Sequence, residues 1–167
     1  MSLTPCDWCR SDEFLSSYYG DILNEYALYL GEPRDMPKLS KDPNKDVIGY
    51  IDRPSKKIVL RNDLAGKYDI VPFSKLLNYN GMDFLVKGIL KVPWDVFTAA
   101  HECSHGKYPY EKSESEIDKR ALDDYIEFYA QKFLKSVMIG NVMGVDSTSE
   151  YAKQINPGRH ALGHTFD

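Results

Sequence analysis

Residues His101-Glu102-Cys103-Ser104-His105 place two histidines four positions apart, with a glutamate directly after the first. Side chains at i and i+4 lie on the same face of an α-helix, so the two imidazoles are neighbours. That spacing lets them share one tetrahedral Zn²⁺ ion at about 2.0–2.1 Å per bond. Glu102 is turned roughly 100° around the helix axis, so it misses the ion but reaches a water beside it. We therefore expect His101 and His105 as zinc ligands and Glu102 as the catalytic base.

The residues around this stretch predict a helix from about Pro93 to His105. Pro93 suits the first turn of a helix, and Asp95 puts a negative charge near its positive end. Gly106 can end the helix just past the second histidine. On a helix, the H-E-x-x-H spacing is typical of zinc metalloproteases.

Length and composition set the broad class of the protein. A chain of 167 residues with 43% hydrophobic residues predicts one globular domain over residues 1–167. The net charge of −4 is spread along the chain without a basic block, so we expect no direct nucleic-acid binding. The absence of a long apolar run and of a secretory signal pattern predicts a cytoplasmic protein with no membrane partner.

The three cysteines favour a reducing compartment over a disulfide framework. Cys6 and Cys9 form a C-x-x-C pair, but the second pair that a structural zinc site needs is missing. We therefore expect this pair to be incidental. Cys103 occupies a non-ligand position of the metal motif and is expected to be a small packing residue.

The first half of the chain predicts one helix and one hairpin. Apolar residues at spacings of three and four predict a helix from Ser11 to Leu30. Val47–Asp52 and Lys57–Leu60 are rich in β-branched residues and flank a four-residue connection, which predicts a β-hairpin. Zinc proteases commonly hold an extended peptide against an exposed sheet edge, so this hairpin is also a candidate for substrate binding.

The second half of the chain predicts mainly helices. In Asp69–Leu90 the apolar residues favour two short helices broken at Asn80-Gly81. Ser115–Ile139 is the longest periodic stretch, with an apolar stripe that we place on Leu122, Ile126, Ala130, Phe133 and Val137. Gly144–Asp167 shows no strong pattern and is expected to be an irregular or docked tail. Together these elements predict an α+β fold.

A catalytic zinc ion usually has three protein ligands, so a third is needed. A third histidine shortly after the motif is absent, because Tyr108 and Glu111 stand at the relevant positions. A carboxylate on the next helix is the alternative. With Ile126 at the centre of the buried face, Asp124 points away, whereas Asp123 and Glu127 share one flank. Geometry leaves these two open.

Two stretches resemble the ImmA/IrrE metallopeptidase family. Val96–His105 is similar to that family's F-T-x-A-H-E-x-x-H core, and Glu127–Gly140 resembles its E-x-x-A-N-x-F-A-x-x-L-L-M-P motif. The resemblance implies that Glu127 is the third zinc ligand. It also implies a mostly helical, zincin-like domain with a small antiparallel sheet, in which the H-E-x-x-H helix packs against the long helix that follows.

These observations together predict a zinc-dependent metallopeptidase that hydrolyses a peptide bond in an intracellular protein. The resemblance implies a regulator as substrate, such as a repressor of a mobile genetic element. A further donor to the reacting carbonyl oxygen is expected among Tyr108, Tyr110, His160 and His164. The alternative is a non-catalytic zincin-like binding module, or a structural zinc site whose fourth ligand is Cys6 or Cys9.

Overall fold

A helix carrying the two histidines and a four-stranded sheet beside it form the centre of the first part of the molecule. The computed structural model describes residues 3–38, 47–141 and 154–155. Contacts divide the chain into two compact units, Met1–Lys67 with Pro93–Leu122, and Tyr68–Val92 with Asp123–Asp167. The fold is α+β, as the sequence predicts. One domain over residues 1–167 stays a prediction.

The described residues of the first unit form three complete helices and four strands. Its helices are α1 (Asp7–Ser11), α2 (Glu13–Glu25) and α3 (Trp94–Lys107), and the first turns of α4 (Glu114–Ser136) also belong to it. Its strands are β1 (Thr4–Pro5), β2 (Ala27–Gly31), β3 (Gly49–Asp52) and β4 (Lys57–Arg61). Short 3₁₀ turns at Pro33–Asp35 and Asn62–Leu64 lie in the connections.

The sheet of the first unit has the strand order β1-β2-β4-β3. β2 pairs with β4 in parallel, whereas the β1–β2 and β3–β4 pairs are antiparallel. Ile58, Val59 and Leu60 of the central strand β4 are fully buried. Since α3 packs against β3 and β4, this buried strand supports the helix that carries the histidines.

The predicted hairpin is confirmed, but the predicted helix over Ser11–Leu30 is too long. β3 and β4 pair with Tyr50 opposite Val59, around the four-residue connection. α2 ends at Glu25, and Ala27–Gly31 is a strand. The apolar spacing continues past the true helix end, but β1 and β4 lie on either side of this segment and pair with its backbone. Long-range pairing therefore outweighs local periodicity here.

The two short helices predicted for Asp69–Leu90 are wrong. The segment forms β5 (Tyr68–Tyr79) and β6 (Met82–Pro93), which are neighbours in a second sheet. Asn80 and Gly81 have positive φ angles of 53° and 83°, the backbone that a two-residue hairpin turn of type I′ requires. The buried residues of β6 alternate along the strand, as in a half-buried sheet. They are Phe84, Val86, Leu90 and Val92.

The long helix is confirmed as α4, followed by a π-helical turn at Val137–Asn141. Ala130, Phe133 and Val137 of the predicted stripe are buried, whereas Leu122 and Ile126 are only half-buried. Tyr125, which the stripe leaves out, is fully buried. The Tyr125 hydroxyl donates to the Lys91 carbonyl oxygen at 2.8 Å, which lets this polar aromatic residue take the interior position. The predicted tail, Gly144–Asp167, lies outside the described residues except for β7 (Gln154–Ile155).

The expectation that Cys6 and Cys9 are an incidental pair of thiols is wrong, because they form a disulfide. Cys6 caps the start of α1 and Cys9 lies in it, and both side chains are buried. Their Cα atoms are 5.7 Å apart, within the range that a disulfide spans. An odd number of cysteines argues against a network of disulfides, but it does not exclude one local disulfide between residues three positions apart.

Gly49 at the start of β3 provides a test of the packing between the sheet and α3. A Cβ atom at Gly49 would lie 2.6 Å from Thr98 Cγ2 and 3.4 Å from Glu102 Cγ. Thr98 is buried and β-branched, so it has little room to move. We expect Gly49→Ala to lower the free energy of unfolding by about 1–3 kcal/mol in urea titrations.

The matched control is Gly20→Ala in α2, where a Cβ atom meets nothing within 4 Å. Alanine is favoured over glycine inside a helix, so we expect this change to raise stability by up to about 1 kcal/mol. Equal effects of the two substitutions would contradict the close approach of β3 to α3.

Candidate metal centre

α3 is held in place on its buried side and presents its histidines on the other. Val96, Ala99, Ala100 and Cys103 are buried, whereas the side chains of His101 and His105 keep 17% and 13% of their surface exposed. Two long-range hydrogen bonds fix the end of the helix. The Ser104 hydroxyl donates to Tyr19 Oη at 3.0 Å, and Arg53 Nη2 donates to the His105 carbonyl oxygen at 2.8 Å.

The two histidines meet as the i, i+4 spacing predicts. Their ring centroids are 4.7 Å apart at 75°, and their Nε2 atoms are 3.1 Å apart. Together with a carboxylate oxygen of Glu102, their ligand atoms lie within 4.8 Å of one another. This group of three can hold a metal ion. Nitrogen donors are common ligands of zinc, although several divalent metals accept imidazole.

Glu102 is buried beside the histidines without a full set of partners. Its side chain is 5% exposed, and its Oε2 atom has no hydrogen-bond partner among the described residues. Burial raises the pKa of this carboxyl from 4.5 to about 7, although the charges of His101 and Arg53 act against it. A carboxylate with a pKa near neutrality is suited to accept and return a proton at physiological pH.

Glu114, which the sequence did not single out, lies against both histidines. Its Oε2 atom is 2.7 Å from His101 Nε2 and 3.1 Å from His105 Nε2. Partial burial would raise the pKa of Glu114, but its hydrogen bonds and charge interactions with His105 and His101 outweigh this and lower it. The carboxylate therefore occupies the position toward which the two Nε2 atoms point.

Asp118 contacts the other side of His101, with its Oδ1 atom 2.5 Å from His101 Nδ1. A carboxylate accepts, so His101 can donate from Nδ1 to Asp118 or from Nε2 to Glu114; when Nδ1 donates, Nε2 keeps a lone pair for a metal ion. Glu114 and Asp118 are an i, i+4 pair at the start of α4. Two acidic residues one turn apart, directly after the H-E-x-x-H helix, are the sequence signal that could have identified both.

The carboxylates that the sequence offers as third ligand, Asp123, Asp124 and Glu127, belong to the second unit. Glu127 is half-buried on α4 within the second unit, so its assignment as third ligand stays a prediction. Asp123 is exposed, whereas Asp124 is half-buried like Glu127. The half-burial of Asp124 does not fit the expectation that it points away from the core.

The candidate donors to a carbonyl oxygen differ in their surroundings. Tyr108 is half-buried, with Arg120 Cζ 4.6 Å and Lys107 Nζ 5.7 Å from its ring centroid. The Tyr110 side chain is 94% exposed. The remaining two, His160 and His164, lie outside the described residues.

None of the cysteines is available as a metal ligand. Cys6 and Cys9 are bound to each other. Cys103 is fully buried, and burial raises the pKa of its thiol to about 12, which disfavours the thiolate that a metal requires. Its predicted role as a packing residue fits this environment.

The chain matches no protein-family model, no curated protein and no solved structure. The similarity to the ImmA/IrrE metallopeptidases therefore rests on the two motif stretches alone. Among the described residues, no helix combines the length and the apolar character needed to cross a membrane.

The burial of Glu102 predicts a pH-dependent stability in the metal-free protein. The carboxyl ionises near 4.5 in the unfolded chain but near 7 in the folded one. Its ionisation therefore opposes folding increasingly as the pH rises from 4.5 through 7. After treatment with a chelator, we expect Glu102→Gln to be more stable than the native chain by roughly 3 kcal/mol above pH 7.

At pH 4.5 and below, the same two proteins should differ little, because the carboxyl is then protonated in the folded chain and at least half protonated in the unfolded chain. Glu116→Gln, at an exposed position, serves as the control with the same loss of charge. Chemical denaturation at pH 4.5 and pH 8 measures the difference. A gain from Glu102→Gln that is equal at both pH values would contradict the burial of this carboxyl.

Proposed function

We propose that this protein is a zinc-dependent metallopeptidase. The observation that carries the proposal is the meeting of His101 Nε2 and His105 Nε2 at 3.1 Å, beside a buried glutamate with an unpartnered oxygen. A purely structural zinc site does not require a buried carboxylate that is not a ligand. A role as general base explains why a carboxylate is kept at this position despite the free-energy cost of its burial.

Zinc held by the two histidines would polarise a substrate carbonyl and lower the pKa of a bound water to about 7. Glu102, whose own pKa is raised to about 7, would take a proton from the attacking water and return it to the departing amine nitrogen. In this proposal His101 donates from Nδ1 to Asp118, which leaves its Nε2 lone pair for the metal. The third ligand in this proposal is a carboxylate, and the resemblance assigns that role to Glu127.

The strand order supports the binding of an extended peptide. β3 is the outer strand of the β1-β2-β4-β3 sheet among the described strands. Gly49 at its start packs against Thr98 and Glu102 of α3, so this edge lies next to the proposed base. A substrate that pairs with the outer edge of β3 would be held by backbone hydrogen bonds close to the metal position. An intracellular protein, such as a repressor, is the substrate class that the resemblance favours.

The main alternative, a structural zinc site closed by a cysteine, has less support. Structural sites usually have four protein ligands, often including Cys. Cys6 and Cys9 form a disulfide, so neither offers a thiolate to a zinc ion. A non-catalytic binding module remains the other alternative, and the fate of the Glu102→Gln variant separates it from an enzyme.

Substitution of Glu102 tests the enzyme directly. Glu102→Gln should keep the metal, because the glutamate is not a ligand, and lose about 10²–10⁴-fold in turnover. His101→Ala should lose the metal itself. Zinc content can be measured by mass spectrometry of the purified proteins. Cleavage can be measured on a library of peptides derived from digested whole proteomes, which does not require knowledge of the substrate.

Glu116→Gln is the control, since it removes the same charge from an exposed position. Equal cleavage by the native chain and Glu102→Gln would contradict the proposed base. Stoichiometric zinc in His101→Ala would contradict the metal site.

A further inference from the structure

Three atoms that can ligate a metal meet at the junction of α3 and the first turn of α4. Glu114 Oε2 lies 2.7 Å from His101 Nε2 and 3.1 Å from His105 Nε2, and the two nitrogens are 3.1 Å apart. A tetrahedral zinc ion with bonds of about 2.0–2.2 Å spaces its ligands about 3.3–3.6 Å apart. Two edges of the observed triangle are therefore about 0.2–0.5 Å shorter than those of such a tetrahedron, and the third, between Glu114 Oε2 and His101 Nε2, is about 0.6–0.9 Å shorter.

The contacts of His101 fit a cation at the centre of this triangle. When Nδ1 of His101 donates to Asp118, Nε2 is left with a lone pair toward Glu114 and His105, the arrangement usual for a metal-bound imidazole. A carboxylate oxygen and two imidazole nitrogens at 2.7–3.1 Å from one another are then placed to share one metal ion.

Glu114 is placed by local features of the chain. The Ser113 hydroxyl accepts a hydrogen bond from the Glu116 backbone N–H at 3.3 Å, so Ser113 caps the start of α4. Ile117 is fully buried and anchors the same turn. The Glu114 side chain is 70% exposed, so its position against the histidines owes little to burial and reflects its contacts with the rings.

We propose that Glu114 is the carboxylate ligand of the metal and that Asp118 is a positioning residue that acts through His101. The inference rests on the proposed function, since it concerns the same ion. It differs from that proposal in the third ligand, which the resemblance assigns to Glu127. Two histidines and Glu114 leave a fourth position open, as a catalytic zinc site requires.

Metal affinity tests this assignment without a substrate. Metal-stripped native protein is titrated with Zn²⁺ in competition with a chromophoric chelator, and then with Co²⁺ to record its visible absorption. The variants are Glu114→Gln, Glu127→Gln and His105→Ala, with Glu116→Gln as the matched change in the same turn. Melting curves of the metal-free proteins check that each variant folds.

We expect Glu114→Gln to weaken zinc binding roughly 100-fold or more and to change the cobalt absorption, which reports the ligand set. Glu116→Gln and Glu127→Gln should stay within about threefold of the native chain. If Glu127→Gln bound zinc weakly and Glu114→Gln bound it with native affinity, the assignment of Glu114 would be overturned. The proposed function would not be affected. Native-like zinc affinity in His105→Ala would overturn the metal site and both proposals.

A third pattern is also informative. If Glu114→Gln and Glu127→Gln both weaken binding about 100-fold, Glu114 is a ligand, but the ion has four protein ligands and no open position. That outcome supports the assignment of Glu114 and contradicts hydrolysis.

Asp118 has its own test. Asp118→Asn should weaken zinc binding roughly 10–100-fold, as for other residues that hydrogen-bond to a metal ligand. Nitrogen-15 imidazole spectra of the metal-free protein at high pH should show the Nδ1–H tautomer of His101 in the native chain and a mixture in the variant. An unchanged tautomer of His101 in Asp118→Asn would overturn the positioning role, even if zinc binding were weaker.

Discussion

The meeting of three electron-pair donors on one side of α3 is the constraint on which the site depends. Two imidazole nitrogens and one carboxylate oxygen lie 2.7–3.1 Å from one another. Such a group needs a proton or a metal ion between its members, because their lone pairs otherwise repel. The surrounding elements fix this arrangement: Tyr19 and Arg53 hold the end of α3, and Ser113 starts α4 at the point where its acidic residues face the rings.

Glu102 shows how stability and function oppose each other here. A buried carboxyl whose Oε2 has no hydrogen-bond partner among the described residues destabilises the fold once it ionises, and the charges of His101 and Arg53 offset this only in part. Residues that carry such a cost are commonly found at functional sites. The same burial that weakens the metal-free protein gives the carboxyl a pKa of about 7, in the range where it can both accept and release a proton.

The features of this site that depend on the spacing of nearby residues could be predicted from the sequence. His101 and His105 share a face because a helix turns every 3.6 residues, and the hairpin of β3 and β4 follows from its two β-branched runs. Asn80-Gly81 is a sequence typical of a hairpin turn, but the apolar spacing on either side of it favours helices. The strand Ala27–Gly31 could not be predicted, because its conformation depends on strands distant in sequence.

The contact of Glu114 with the histidines, like the strand Ala27–Gly31, could not be predicted from local sequence. Its position depends on how the loop of residues 108–113 returns α4 to α3, and no local pattern specifies that path. A helical wheel compares residues within one helix, so it separates Asp124 from Asp123 and Glu127. It carries no information about which residue of α4 lies near α3.

The most direct measurement of the central claim is a crystal structure of the zinc-loaded protein with anomalous data at the zinc absorption edge. The account predicts one strong peak bonded to Nε2 of His101 and of His105 and to one carboxylate oxygen, with a water in the fourth position. A peak at any other place in the chain, or none at stoichiometric zinc, would contradict it.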